Sequence, residues 1–547
     1  MFWIALRSQA WAILGWGGFL SLFATLMAAS YGRIAATSSG DAATLAQALA
    51  NVGRQAGLLL PLPERLDTLG GFLQWFLFGY FPLFLGIWAI IAGTGVARGA
   101  EERGLVEQWL STGLRRWRLL GEQIAAFAVA LVLACLLVEL VTEAAARLSG
   151  AGEIPLGSLF LKGLAAVPPC LFVFTLGLLT SSLVATRRNA LGLAAVGFGA
   201  LFVLNGLGRV TDWAKPLRWL SPFYAYDRSD PLVPGGHFDL LSALVVLAAT
   251  AALAALAAWA FANRDLGATI IRRRSERGPQ RLPTRNPLLA LPALQAVWEQ
   301  RVGLAVWSAA IGAYAFFYMS TVRPFVGMFS SGDRFMSLQA RVAFGFGPRD
   351  AVAAFVGTSW FGAAGVLLAA FAVTQVSRWA SEDSEGRLEM LLSAGVPRWR
   401  VVLERPLSLL LAAAVILAFM SATIWAGSRA YDLHLSTRGL VLASLMILPV
   451  TLAFGAAGSA LAAFRPRVAV VALAAVLLVS YMIPYSAAPI FAPDQPPDWF
   501  LRLSVFKLYG IPLTDGVDRG GLYTLVAISA LGLAVTLVAM QRREVGR

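Results

Sequence analysis

The sequence predicts an all-α polytopic membrane protein with about twelve transmembrane helices in two tandem six-helix repeats. Three observations predict it. First, 58% of the 547 residues are hydrophobic and only 14% are charged, a balance outside the range of soluble globular chains. Second, long apolar runs follow one another along the whole chain. Third, a polar segment between two such runs occurs twice, 282 residues apart.

The apolar runs have the roughly 20 residues that a helix needs to cross a bilayer. In the first half they fall at 9–31, 71–97, 119–145, 158–185, 190–210 and 238–262. In the second half they fall at 302–322, 354–377, 401–426, 439–464, 468–490 and 522–540. They are numbered here as spans 1 to 12. Domains are therefore expected at 1–262 and 302–547, joined over 263–301 by a basic cytoplasmic linker that ends in an interfacial helix. MFWIALRSQ before span 1 and LLALPALQAVWEQR before span 7 both read as short helices at the membrane surface. Between spans 1 and 2, TLAQALANVGRQAGLLL has helical apolar spacing and predicts a small surface helix. Pro168 and Pro169 in span 4, and Pro449 in span 10, should kink their helices.

An even number of spans puts both termini on one side, and basic residues near span ends mark the cytoplasm. With the termini inside, the inner side carries 26 Lys+Arg against 13 Asp+Glu, and the outer side 18 against 17. Both termini are thus expected in the cytoplasm, in a multi-pass inner or plasma membrane protein. The excess arginines sit at membrane boundaries and suit anionic lipid headgroups, not nucleic acid. Cys135 and Cys170 fall inside spans as small apolar residues, and His237 and His434 lie in different halves, so no metal site is expected. No catalytic constellation of nucleophile, base and acid stands out.

The repeated segment is EERGLVEQWLSTGLRRWR at 101–118 and SEGRLEMLLSAGVPRWR at 384–400. Gly104 matches Gly386, Glu107 matches Glu389, and Arg116-Trp117-Arg118 matches Arg398-Trp399-Arg400. Val106, Trp109 and Leu110 correspond to Leu388, Leu391 and Leu392, an i, i+3, i+4 apolar stripe on a short helix whose other face carries carboxylates. Gly113 and Gly395 follow as helix stops. Such a helix, held between two spans, can press into a groove on a soluble partner. A second repeat pairs Leu220-Ser221-Pro222-Phe223 with Leu503-Ser504-Val505-Phe506 between the last two spans of each half.

The repeated segment resembles the pattern E-x-G-x-x-E-x-L-L-x-[ST]-[PG]-x-x-R-W-x of type-2 ABC exporter permeases, and more closely the fused twelve-span bacterial polyketide-antibiotic and multidrug efflux permeases. The resemblance implies cytoplasmic coupling helices that touch two ABC ATPase domains, a homodimer or a heterodimer. Gly104, Glu107, Trp109, Leu110, Gly386, Glu389, Leu391 and Leu392 would form the coupling surfaces. Arg103 stands where the second copy has Glu385, and Trp109 where it has Leu391, so the two surfaces differ. The resemblance further implies that spans 2, 5, 8 and 11 enclose the transport path. Its lining candidates are Gln74, Trp75, Phe78 and Tyr80, then Asn205, then Ser359 and Trp360, then Tyr481 and Tyr485. A mostly aromatic wall suits a hydrophobic or amphipathic cargo such as a drug, antibiotic or lipid.

The phosphate cradle of a P-loop needs Gly-Lys-[Ser/Thr], and none of Lys162, Lys215 and Lys507 follows a glycine. The chain is therefore expected to be a transport subunit and not an enzyme, without a cofactor of its own, with ATP and Mg held by the partner. A twelve-span proton-coupled drug antiporter is the competing reading, since its six-plus-six duplication would look alike. That class, however, carries a short basic Gly-x-x-x-Asp-Arg-x-Gly-Arg-Arg loop where this chain has an acidic amphipathic helix. A membrane-embedded enzyme or scaffold would need a cluster of polar residues at one membrane face, which the sequence lacks.

Overall fold

The computed structural model describes residues 1–37, 60–264, 291–330, 351–384, 387–491 and 497–542. The linker over 265–290, the helix expected at 44–60 (save Leu60), and Gly386 lie outside them. Among the described residues eleven helices are long and apolar enough to cross a membrane, and a shorter apolar stretch, Val468–Pro484, lies within the helix Pro466–Phe491. The chain divides into two compact units, Met1–Pro279 and Gln280–Arg547.

In the first unit, span 1 is Ala10–Thr37, span 3 Arg116–Leu148, span 4 Leu156–Leu183, span 5 Arg187–Val210 and span 6 Leu240–Ala262. Span 2 is assembled from Leu69–Phe76, a 3-10 turn at Phe78–Tyr80, and Phe81–Val96. Pro82 explains the break, because it has no N–H to offer the carbonyl of Phe78 four residues earlier and its ring crowds that carbonyl. In the second unit, span 7 is Arg301–Ser330, span 9 Arg398–Ala430 and span 12 Arg519–Arg542. Span 8 runs through Ala351–Phe355, one π-helical turn at Val356–Trp360, and Phe361–Ser384. Span 10 is interrupted at Met446, between Thr437–Leu445 and Ile447–Phe464, where Pro449 faces the Leu445 carbonyl. Pro168 and Pro169 lie inside a helix that is not interrupted.

The same pairs of spans pack in each unit. Span 1 lies on span 3 as span 7 lies on span 9, span 2 on span 4 as 8 on 10, and span 4 on span 6 as 10 on 12. The fourth span of each repeat is therefore central to its own core. Small residues permit this. A Cβ at Gly93 in span 2 would come within 2.3 Å of the Phe174 carbonyl oxygen in span 4. The short helices Phe2–Ser8 and Pro292–Glu299 are distinct from the spans that follow, with the chain turning at Gln9 and Gln300. Each packs on the third span of its own unit.

Candidate functional site

The repeated segment forms a helix in both units, Leu105–Ser111 and Arg387–Ser393. Gly104 enters the first with φ 69°, and Gly113 and Gly395 end the two copies with φ 81° each. These are left-handed values that only glycine adopts at no steric cost, which is why glycine flanks this element. Val106 and Leu388 anchor the helices as buried residues at the same repeat position. Trp109 and Leu110 pack partly against the first unit's core, and Leu392 against Leu388, Val401, Val402 and Met540. Glu107 and Glu389 are exposed, as is Gln108. Leu391 and Met390 are exposed at 50% and 64%, so the second helix presents apolar side chains where the first tucks Trp109 inward.

The Arg-Trp-Arg triplet wires each helix into its unit. Arg116 donates from Nη1 to the carbonyls of Phe261 (3.0 Å) and Arg264 (2.6 Å) at the end of span 6. Arg398 donates from Nη1 to the carbonyls of Met540 and Gln541, both at 2.7 Å, at the end of span 12. A helix C-terminus leaves its last carbonyls without partners and carries partial negative charge, so an arginine satisfies both needs. The third residue of each triplet pairs one turn on: Arg118 with Glu122 at 2.9 Å and Arg400 with Glu404 at 2.6 Å. Glu122 also accepts the Phe2 backbone N–H at 2.9 Å. Sequence reasoning assigned the triplet to the membrane boundary and missed that it clasps a distant helix end.

The two copies differ in what lies before the helix. Arg98, Glu101 and Arg264 are all nearly inaccessible, at 2%, 7% and 3% exposure, with Arg98 and Arg264 both on Glu101 Oε2, at 3.0 and 2.5 Å. Arg98 also donates to the Val184 carbonyl at 2.6 and 2.9 Å, and Glu102 accepts the Arg187 backbone N–H at 2.7 Å. Burial and the nearby Arg264 push the Arg98 guanidinium below its usual range, opposed by Glu101 and Glu102. In the second unit the repeat position of Arg98 is Ala380, and Arg378 instead makes partly exposed pairs with Glu382 (3.0 Å) and Glu299 (3.3 Å).

The candidate path residues sit mostly within packed surroundings of their own unit. Gln74 and Trp75 line a cavity, and the Trp75 indole donates to the Pro61 carbonyl at 2.9 Å. Phe78 is buried, and its carbonyl, freed by Pro82, accepts the Tyr226 hydroxyl at 2.6 Å. Tyr80 is half-buried beside Phe23 and Phe84. Asn205 is buried and donates to Asp227 at 2.9 Å. In the second unit, Ser359 is hydrogen-bonded to the Tyr318 hydroxyl at 2.6 Å and also donates to the Phe355 carbonyl. Trp360 is buried against Tyr314 and Tyr318, and its indole N–H has no partner among the described residues. Tyr481 meets Phe506 edge to face. Tyr485 lies in the helix Pro466–Phe491, and its side chain is outside the described residues.

Over residues 2–262 and 289–541 the chain matches the family described as multidrug efflux system permease Rv1217c, C-terminal domain. The chain belongs to that family. It is a multi-pass membrane permease of the efflux class, and the matched stretches correspond to its two repeats. No curated protein matches it.

Two further pairs in the permease escaped the sequence reading in whole or part. Ser221 and Ser504, from the second repeated motif, donate to the carbonyls of Leu201 (2.8 Å) and Ser480 (2.6 Å), pinning the segment before spans 6 and 12 to spans 5 and 11. Tyr226 and Tyr509, 283 residues apart, are buried and donate to carbonyls beside helix interruptions: Phe78 in span 2, and Ala443 in span 10 at 2.9 Å. Their spacing could have disclosed them. Their targets could not be read, because the breaks occur in non-equivalent spans.

Proposed function

We propose that this permease is the membrane subunit of an ATP-driven ABC exporter that moves a hydrophobic or amphipathic cargo outward by alternating access. One observation carries the reading. Each repeat holds the same short helix, with a buried apolar anchor, an exposed carboxylate and an arginine tie to its last span, at the same 282-residue offset. A displacement applied to Glu107 or Glu389 is thereby passed to spans 2 and 3, or 8 and 9, and through Arg116 or Arg398 to span 6 or 12.

In this reading residues 1–262 and 302–547 are the two transmembrane domains, 263–301 is a cytoplasmic linker, and both termini are cytoplasmic. ATP and Mg belong to two ATPase domains supplied by other polypeptides, because the lysines of this chain offer no P-loop. Spans 2, 5, 8 and 11 form the path. The test is purification of the tagged permease from its native membrane, followed by Glu107→Lys with Glu389→Lys. A copurifying Walker-type ATPase and a double variant that folds but loses at least tenfold in transport are expected. A permease that purifies alone and transports on a proton gradient would transfer the function to the secondary-antiporter class.

A further inference from the structure

A cavity of about 150 Å³ lies in the first unit at the ends of spans 2, 4 and 5 remote from the helix Leu105–Ser111. Taking roughly 30 Å³ per water, it has room for about five water-sized groups. Its deep wall is ionic. Asp227 accepts four hydrogen bonds, two from Arg209 at 2.7 Å, one from Arg218 at 2.8 Å and one from Asn205 at 2.9 Å. Lys162, only 2% exposed, donates to the Ser229 carbonyl at 2.6 Å and lies 4.0 Å over the Tyr226 ring. Arg209, Arg218 and Asn205 therefore fill the acceptor capacity of the one buried carboxylate, and the Lys162 ammonium, bonded to the Ser229 carbonyl, has further donors to place. The other acids stand at the margin: Glu64 is exposed, and Asp230 is half-buried with Oδ1 accepting the His237 backbone N–H at 3.1 Å. Between wall and margin, the buried Gln74 Oε1 has no hydrogen-bond partner among the described residues. Leaving such an acceptor unmet is costly.

The unspent donors of Lys162 suit an anionic oxygen, and the unmet Gln74 Oε1 with the marginal acids suits a donor on the same ligand. Arg218 comes from the segment Asp212–Leu220, which exposes Trp213, Trp219 and Leu220 at 62 to 68% and so has the character of a membrane-interface element. We propose that this cavity binds a phosphate-ester headgroup bearing a terminal hydrogen-bond donor, an amine or a hydroxyl. The phosphate rests on Lys162 and Arg218, and the donor reaches Gln74 Oε1 and the acids. The site stands whichever energy source drives the permease.

The test uses the full chain in nanodiscs of phosphatidylcholine mixed with phosphatidylethanolamine or phosphatidylglycerol, with retained lipid read by native mass spectrometry. We expect at least tenfold preference for the ethanolamine and glycerol lipids over the choline lipid, whose quaternary ammonium cannot donate. Gln74→Leu should cut that preference at least fivefold. Glu64→Gln should weaken retention of the ethanolamine lipid while sparing the glycerol lipid, a change of ratio that loss of fold would not produce. Displacement by micromolar glycerophosphoethanolamine would assign the same site to a soluble ester, and failure to displace would assign it to membrane lipid. Equal retention of all three lipids, or unchanged ratios in Gln74→Leu, would overturn the proposal.

Discussion

Arg116 and Arg398 show how one side chain can serve two helices. Each begins the third span of its repeat and caps the last, so truncation removes a charged hydrogen bond and a favourable dipole interaction together. Arg398→Ala should lower stability by about 2 kcal/mol, seen as a lower melting temperature in detergent, and lysine should restore it only partly because it lacks the fork. Glu101 bears a heavier load, since its loss leaves Arg98 and Arg264 buried without their shared carboxylate. Glu101→Gln should cost on the order of 3 kcal/mol, the scale for breaking a buried ion pair. Asp227 adds a pH signature. Burial alone would raise its carboxyl, but Arg209, Asn205 and Arg218 outweigh that and hold it below the ordinary 3.8. A depressed folded value means that the stabilisation is present above the unfolded value and lost as pH falls through the folded one. Asp227→Asn should therefore melt earlier than the parent at pH 7, with the gap closing only as pH drops below about 4.

At the scale of elements, the short helices Leu105–Ser111 and Arg387–Ser393 share a sequence pattern yet differ in anchorage. The first is tied through the buried Arg98, Glu101 and Arg264 and through Glu102 to the start of span 5, whereas among the described residues the second leans on a small apolar cluster and half-exposed ion pairs. Exposed pairs contribute little, and elements with few buried contacts open most readily. Amide hydrogen exchange should therefore be faster over 387–393 than over 105–111, and Arg98→Met should bring the first toward the rate of the second. Equal rates in the parent would count against this asymmetry. Proline acts at the same scale. Spans 2 and 10 are interrupted near Pro82 and at Met446, and Tyr226 and Tyr509 bind carbonyls beside those interruptions, so Tyr226→Phe should loosen the segment before span 6 without altering the spans themselves.

For the molecule as a whole, the duplication is a packing rule as well as a sequence repeat: three pairs of spans recur in each unit, around a central fourth span. The repeat presents two short surface helices, and the exposed Met390 and Leu391 make the second more apolar than the first. If the exporter reading holds, Leu391→Glu should impair ATPase binding in pulldown more than Trp109→Glu perturbs it through direct contact, because Trp109 is half-buried in its own unit. Equal loss from both, with both proteins folded, would mean that the two surfaces are used alike.

The class, the number of spans, the duplication and the short helix in each repeat were all legible in the order of the amino acids. Hydropathy, helical period and glycine stops are properties of neighbours along the chain, and a bilayer demands them locally. Which carbonyls Arg116, Arg398, Tyr226 and Tyr509 satisfy became apparent in the folded chain alone, since these bonds join positions 66 to 148 residues apart. Folding likewise decided that Gln74 and Lys162 share a cavity with Asp227, whereas Phe78 and Trp360, equivalent by repeat, are packed inside their own units. The physical reason is the same in each case: a buried polar group must find a partner wherever folding brings one within about 3 Å, and that distance is set by packing, not by sequence separation.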